Sequence, residues 1–239
     1  MTETIAAIAK NFINLIYPLR CAGCGKDLEP LNEAGVCGLC LSRIRPNPKP
    51  NCARCGRSLE SGAKLCADCK RTRPSFEKAS SAFLYEGPLK EIVHIFKYKG
   101  RLPLAKTLSK MVIAFVKDDP DILSGVDVLT FVPLHSRRLK ERGFNQSGIL
   151  ASSLSKEFAI PVLDALEKTT VTKHQNELTR EARLTNLKGA FRIRKGVNIA
   201  GLSVMLLDDV MTTGATLNEC AKVLRRHGAR EVRCLTVAR

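Results

Sequence analysis

The stretch VMLLDDVMTTGAT, from Val204 to Thr216, decides the fold of this chain. Its first four residues are apolar and predict a buried strand, and a loop of threonine and glycine leads into a helical pattern that begins at Leu217. Free N–H groups at a helix N-terminus, together with the positive end of the helix dipole, bind anions. Because Gly214 has no side chain, the backbone of this loop is able to approach an anion closely. The stretch therefore predicts a strand, a phosphate-binding loop and a helix.

Two adjacent aspartates, Asp208 and Asp209, lie between the predicted strand and this loop. Carboxylates suit sugar hydroxyls or the water ligands of magnesium. The alternative is an ordinary strand, loop and helix with a buried aspartate pair, but such a pair is costly unless it binds something. We therefore predict a pocket for a phosphorylated sugar, with both aspartates as catalytic residues. The predicted ligand-binding residues of this stretch are Asp208, Asp209, Met211, Thr212, Thr213, Gly214, Ala215 and Thr216.

A second chemical cluster follows the apolar segment DVLTFVPL, which ends at Leu134. The segment is typical of a buried parallel strand, and we interpret the following HSRRLKERGFNQ as a loop at the same end of the sheet as the first loop. Guanidinium groups bind phosphate oxygens through paired hydrogen bonds. We predict that Arg137, Arg138 and Arg142 hold a pyrophosphate group of the ligand. A solvated basic loop is the alternative interpretation.

Eight of the ten cysteines form four Cys-x-x-Cys pairs, separated by 12, 11 and 10 residues. Two such pairs supply the four thiolates of a tetrahedral zinc site, which leaves no coordination position for a substrate. We predict two structural zinc sites, and zinc supplies the folding energy of a module too small for its own core. The predicted ligands are Cys21, Cys24, Cys37 and Cys40 for one zinc and Cys52, Cys55, Cys66 and Cys69 for the other.

Other interpretations of these cysteines stay open at the level of sequence. Crossed pairing of the four Cys-x-x-Cys pairs uses the same ligands. An iron–sulfur cluster also takes four thiolates, although the segment has no Cys-Pro closure and no third close cysteine. A secreted disulfide framework is disfavoured by the regular spacing and by the lack of an export signal. If the module depends on zinc alone, a strong chelator unfolds about residues 20–75 and leaves the rest folded.

The remaining sequence alternates between strand and helix patterns, which predicts an α/β fold: a mostly parallel sheet with flanking helices. We predict an amphipathic helix over residues 1–19, a double zinc-ribbon module over 20–73 and the α/β domain over 74–239. The long polar segment 171–191 is typical of a lid or a binding segment.

The composition limits the partners and the location of the protein. The formal net charge is +16, or about +12 once eight cysteines are thiolates on two zinc ions, which suits a phosphorylated ligand or another polyanion. Aromatic residues make up 5% of the chain and tryptophan is absent, so no base-stacking platform is visible. We find neither a signal peptide nor a stable membrane span and expect a cytoplasmic protein. The N-terminal amphipathic helix leaves open a peripheral position at the inner membrane face.

Together these segments resemble the ComF family of competence-associated bacterial proteins. The resemblance covers nearly the whole chain and includes YPLRCAGC, FKYKGR, VPLHSRRLKERGFNQ, QNELTREARLTNLKGAF and LLDDVMTTGAT. The last segment also resembles the phosphoribosyl pyrophosphate (PRPP) signature of type I phosphoribosyltransferases. The resemblance implies a zinc-ribbon module on a type I phosphoribosyltransferase fold that binds magnesium with PRPP. It also implies a role in DNA uptake (natural transformation) or DNA utilisation, with single-stranded DNA and a helicase-like ATPase as partners.

Three functions are compatible with these motifs and with the family resemblance. The first is a PRPP-dependent transferase of unknown acceptor, with the 5′-phosphate on residues 212–216, the ribose hydroxyls on Asp208 and Asp209, and the pyrophosphate on the three arginines. The second is a non-catalytic competence factor that binds single-stranded DNA and docks a helicase-like ATPase through its zinc module. The third is a scaffold whose pocket is a relic, and the intact Asp-Asp and Thr-Thr-Gly-x-Thr sequence argues against it.

Overall fold

Strands and helices alternate along the α/β part of the chain, as the sequence predicts. The computed structural model describes residues 19–29, 32–60, 63–170 and 187–239. The strands are β1 (Lys78–Phe83), β2 (Val128–Phe131), β3 (Leu166–Lys168), β4 (Phe191–Ile193), β5 (Ser203–Val210) and β6 (Glu231–Ala238). The helices are α1 (Gly38–Ser42), α2 (Ala67–Thr72), α3 (Gly87–Lys99), α4 (Pro103–Asp118), α5 (Ser136–Arg142), α6 (Gln146–Phe158) and α7 (Ala215–Arg226), with a 3-10 turn at Pro120–Ile122.

Two sequence-based predictions lie mostly outside the described residues. One is the amphipathic helix over residues 1–19, and the other is the lid over residues 171–191. None of the helices within the described ranges has the length and apolar character needed to cross a membrane.

Four parallel strands form the central sheet in the order β1–β6–β5–β2. The strand of the opening stretch, β5, is thus an inner strand, and its residues Ser203 to Leu207 are buried. Met205 and Leu207 face an apolar cluster that contains residues of α3, α4 and α6, whereas Val204 and Leu206 face a second cluster that contains residues of α7 and of the antiparallel β3–β4 pair. Burial on both faces explains the uninterrupted apolar run. Because β2 and β5 are parallel neighbours, the segments that follow them leave the sheet at one edge.

One local prediction is wrong: the segment after Leu134 is not a loop but contains the helix α5. Its sequence SRRLKER consists largely of good helix formers. His135 caps the helix, since its Nδ1 accepts the Arg137 N–H at 3.2 Å. Gly143 ends it with a φ of +79°, a conformation that glycine adopts without strain.

The cysteine-rich module consists of two zinc knuckles, the first with Cys21, Cys24, Cys37 and Cys40 and the second with Cys52, Cys55, Cys66 and Cys69. The two knuckles repeat one local structure. Gly25 and Gly56 have φ values of +74° and +69°, and their N–H groups bond to the carbonyls of Cys21 and Cys52 at 2.9 and 2.8 Å. Each knuckle ends in a short helix, α1 or α2, whose N-cap is a cysteine. The internal repeat visible in the sequence is therefore a structural repeat.

The knuckles pack onto opposite sides of the sheet. Cys40 of the first belongs to the apolar cluster of Leu104 in α4, and Thr107 Oγ1 donates to the Ala34 carbonyl at 2.8 Å. Cys55 of the second belongs to the other cluster. The predicted domain boundary near residue 74 stays a prediction, but both knuckles share apolar contacts with the α/β part.

These contacts change the expected response to zinc removal. We predict that a strong chelator destabilises β5 and β6 as well as the knuckles, because buried cysteines contribute to both apolar clusters. Hydrogen exchange of the β5 and β6 amides before chelation, after it and after zinc is restored measures this effect. Unchanged protection of both strands, with exchange increased only in the knuckles, would contradict it.

Candidate functional site

A cavity lies at the edge of the sheet where β2 and β5 end. It is lined by the continuous run 208–217 and by Arg138 and Arg142 of α5. The structure thus brings the predicted sugar-phosphate loop and two of the three predicted arginines around one space. The remaining walls include residues of α3, α6 and β3.

The loop after β5 has the geometry expected of an anion cradle. Gly214 precedes α7 with a φ of +78°, and Thr213 Oγ1 accepts the Ala215 N–H at 3.3 Å. Thr212 is exposed, whereas the side chains of Met211 and Ala215 are buried. Met211 and Ala215 therefore contribute no polar side-chain group to the cavity.

The two carboxylates of the loop have different partners. Asp209 forms an ion pair with Lys97 of α3, with Nζ and Oδ1 2.8 Å apart. Asp208 Oδ1 accepts the hydroxyl of Ser147 at 3.0 Å and the Asp209 N–H at 2.9 Å. Only one of the two aspartates is thus paired with a cation at ion-pair distance among the described residues. Both carboxylates line the cavity.

This arrangement shifts two pKa values. Burial raises the pKa of Asp208 to about 7, and the charge of Asp209 adds to the shift against the opposing effect of Lys97. Burial acts to lower the pKa of Lys97, but the carboxylates of Asp209 and Asp208 outweigh it and raise that pKa. Lys97 therefore stays protonated, while Asp208 changes charge near neutral pH.

The three predicted arginines do not act alike. Arg138 and Arg142 line the cavity, and Arg142 Nη1 donates to Gln146 Oε1 at 2.7 Å. Arg137 is not among the lining residues: its side chain is 75% exposed and forms an ion pair with Glu141 at 3.0 Å. A role for Arg137 in ligand binding stays a prediction.

Several lining residues were not identified from the sequence. Gln146 is only 3% exposed, and its Nε2 is a buried donor without a hydrogen-bond partner within the described part of the chain. Lys168 ends β3, and burial together with the charge of Arg138 lowers its pKa to about 8. Lys97 was not predicted as a site residue, since nothing local in the sequence indicates that Asp209 is its partner.

A groove of about 400 Å³ continues from the mouth of this cavity. The two share Lys97, Tyr98, Arg138 and Arg142, and Lys99 adds another cation to the groove. The Tyr98 side chain is 47% exposed, and the Arg142 guanidinium lies 5.3 Å from the centre of its ring. The described lining of the groove therefore combines one aromatic ring with four cations and the acid Glu141, a surface that the aromatic-poor sequence did not predict.

The cysteines form two groups in the sequential pairing. In each group of four, the sulfurs lie within 4.8 Å of one another. The Sγ atoms of Cys24 and Cys37 are 3.9 Å apart, and those of Cys55 and Cys66 are 3.7 Å apart. Tetrahedral zinc with bonds of about 2.3 Å separates its sulfurs by about 3.8 Å. Both groups fit zinc and leave it no open position.

Comparison with protein-family models identifies the class of protein. Residues 12–70 match the double zinc ribbon domain, and residues 139–239 match the phosphoribosyl transferase domain. The chain is a double zinc ribbon joined to a type I phosphoribosyltransferase fold.

Relatives identify the family. The chain is 33% identical to Competence protein F of Haemophilus influenzae, over 96% of this chain and 99% of that protein. It is 32% identical to DNA utilization protein YhgH of Escherichia coli (94% and 99% covered) and 30% identical to Competence protein ComFC of Bacillus subtilis (81% and 79%). The chain therefore belongs to the ComF family, as the sequence motifs indicated.

Among solved structures, glutamine PRPP amidotransferase from Bacillus subtilis aligns with a TM-score of 0.37 and 22% identity. The alignment covers 55% of this chain and 25% of that enzyme.

The shifted pKa of Asp208 predicts a pH-dependent cost to stability. The unfolded chain ionises this carboxyl near pH 4, whereas the folded protein holds the proton until about pH 7, so this group destabilises the fold increasingly between those values. Asp208→Asn keeps an oxygen that accepts both hydrogen bonds but carries no charge. We expect it to raise the free energy of unfolding by about 1 kcal/mol or more near pH 8 and to have little effect near pH 4.

Urea unfolding at several pH values measures this difference, with the exposed Asp121→Asn as the control. If the free energy of unfolding has the same pH dependence in the wild type and in Asp208→Asn, the raised pKa does not belong to Asp208.

Proposed function

We propose that this protein binds magnesium PRPP in the cavity at the carboxyl ends of β2 and β5 and has the geometry of a phosphoribosyltransferase. The observation that supports this most is the position of both anion-binding elements and the carboxylate pair around one cavity. An isolated phosphate loop has many uses, but a loop, two carboxylates and two arginines together suit a sugar with a phosphate at each end.

The 5′-phosphate fits the loop over residues 212–216. The backbone N–H groups of this turn and the hydroxyls of Thr212 and Thr213 are the proposed donors there. Asp208 and Asp209, directly before the loop, are suited to accept the ribose hydroxyls. Lys97 compensates the charge of Asp209, which allows both carboxylates to lie side by side near the sugar.

The cationic lining of the cavity suits a pyrophosphate. Arg138, Arg142 and Lys168 supply positive charge there, and Gln146 supplies a buried N–H donor. When pyrophosphate leaves PRPP, negative charge grows on the leaving group and positive charge on the ribose ring. Cations preorganised for the leaving group and carboxylates near the ribose ring stabilise that separation of charge. The acceptor that completes a transfer has no assigned residue.

When bound with PRPP, magnesium would offset part of the charge of the pyrophosphate and make it a better leaving group. Hard oxygen ligands such as carboxylates and their bound waters suit this cation. Since Asp208 holds a proton until about pH 7, its charged form and therefore magnesium-dependent affinity increase with pH through this range.

Variants of the carboxylate pair and of the cationic lining test this function. We expect Asp208→Asn to lower PRPP affinity at least about tenfold near pH 8 in the presence of magnesium, although it stabilises the fold. Arg142→Ala removes a cation from the cationic lining and should have a similar effect. Lys140→Ala, on the exposed side of the same helix, is the charge-matched control. Equilibrium binding of labelled PRPP that is equal for all four proteins would contradict the proposed pocket.

A second function, binding of single-stranded DNA, is supported by the groove at the cavity mouth. Exposed Tyr98 offers a ring on which a base stacks, and Lys99 and Arg138 flank it with charges for phosphates. The names of the relatives refer to competence and DNA utilization, so we propose a role of this chain in DNA uptake or utilisation. Docking of a helicase-like ATPase on the zinc module is part of the same proposal.

Substitution of Tyr98 separates stacking from general attraction by charge. Tyr98→Ala should weaken binding of a single-stranded oligonucleotide about five- to tenfold, whereas Tyr98→Phe keeps the ring and the affinity. Both variants should retain the salt dependence of the wild type, because the cations are unchanged. Fluorescence anisotropy at several salt concentrations measures these effects. Equal affinity of Tyr98→Ala and the wild type would exclude the groove as the base-binding surface.

A further inference from the structure

The second zinc knuckle lies directly against the phosphate loop. A small cavity between them is lined by Cys55 and Cys69 on one side and by Met211, Thr213 and Gly214 on the other. The cysteines of this knuckle and Met211 also belong to one apolar cluster, whereas the first knuckle belongs to the other. The two zinc sites therefore have different relations to the loop.

Arg239 connects this knuckle to the loop. Its Nη1 donates a hydrogen bond to the Cys55 carbonyl and lies 3.3 Å from the sulfur of Met211. The backbone of Arg239 is fixed next to β1, since its N–H bonds to the Phe83 carbonyl at 2.9 Å and its carbonyl accepts the Tyr85 N–H at 2.7 Å. The guanidinium is thus held between a zinc-ligand residue and a loop residue.

Met211 lies between Arg239 and the turn at Gly214. Its side chain is 3% exposed, and its N–H bonds to the Ala238 carbonyl at 2.9 Å. A Cβ atom added at Gly214 would lie only 2.7 Å from the terminal methyl of Met211. A displacement of the Met211 side chain therefore changes the space available to Gly214 and to the first N–H groups of α7.

A second set of hydrogen bonds also connects the end of the second knuckle with Gly214. Ser75, just after the knuckle, donates its N–H to Asn218 Oδ1 at 2.8 Å, and the Asn218 N–H bonds to the Gly214 carbonyl at 2.9 Å. Two separate links thus meet at Gly214.

Zinc with four thiolates carries a net charge of about −2, and the positive charge of Arg239 acts on three of those thiolates: Cys55, Cys66 and Cys69.

We infer that Arg239 is a positioning residue that couples the second zinc knuckle to the phosphate loop, so that zinc on Cys52, Cys55, Cys66 and Cys69 and an anion on the loop stabilise each other. The inference rests on the proposed function, since it needs an anion at this loop. Coupling between two binding equilibria is reciprocal, so the factor by which bound zinc strengthens anion binding equals the factor by which the bound anion strengthens zinc binding. The first knuckle lies outside this coupling.

The test measures zinc release from the full-length, zinc-loaded protein into a chromogenic chelator. We expect magnesium PRPP at saturation to slow the release of one zinc equivalent about fivefold or more and to leave the other unchanged. Inorganic phosphate serves as a second probe of the loop, with a weaker effect of the same kind. Arg239→Gln should abolish the slowing of zinc release by PRPP and lower PRPP affinity by a similar factor. Arg239→Lys should restore part of the slowing and part of the affinity.

Thr107→Val is the matched control, because it removes the hydrogen bond that holds Ala34 of the first knuckle on α4. It should speed the release of the other zinc equivalent, which identifies the two phases, and leave PRPP affinity unchanged. PRPP binding that changes neither phase, or wild-type affinity in Arg239→Gln, would overturn the coupling while the proposed function stands. A phosphate effect on one phase without PRPP binding would support the coupling and contradict the proposed function. A loop that binds neither probe contradicts both.

Discussion

The ion pair between Lys97 and Asp209 is the contact on which the arrangement of the site depends. Two adjacent carboxylates at the end of a buried strand repel each other and lose hydration, and both effects favour protonation. Lys97 extends from the end of α3 and forms an ion pair with Asp209, whereas burial raises the pKa of Asp208. The pair also ties α3 to the edge of the sheet, which brings Tyr98 to the cavity mouth.

The surrounding structure holds this edge of the sheet from several sides. α6 contributes Ser147 to Asp208, α5 contributes two arginines, and the second zinc knuckle lies behind the loop. Burial of Asp208 at a raised pKa reduces stability at neutral pH, a cost that proteins commonly accept at functional sites. Zinc in the knuckles offsets such costs, because a closed set of four thiolates contributes folding energy without taking part in chemistry.

The sequence predicted those features that arise from local patterns. Strand β5, the Gly214 turn and α7 occur as one continuous signature, and each zinc group consists of neighbouring Cys-x-x-Cys pairs, so both were recognised correctly. It missed features that depend on contacts between distant segments: the Lys97–Asp209 ion pair and the stacking of Arg142 on Tyr98. The segment around Arg137 was predicted as a loop, whereas its helix formers and the His135 cap make it α5.

The most direct test of the central claim is a calorimetric titration of the zinc-loaded protein with PRPP, with and without magnesium. A pocket with a phosphate loop, two carboxylates and facing arginines predicts saturable binding that requires magnesium and strengthens as the pH rises through about 7. No binding at millimolar PRPP in the presence of magnesium would contradict the account, and would leave the cavity without its proposed ligand.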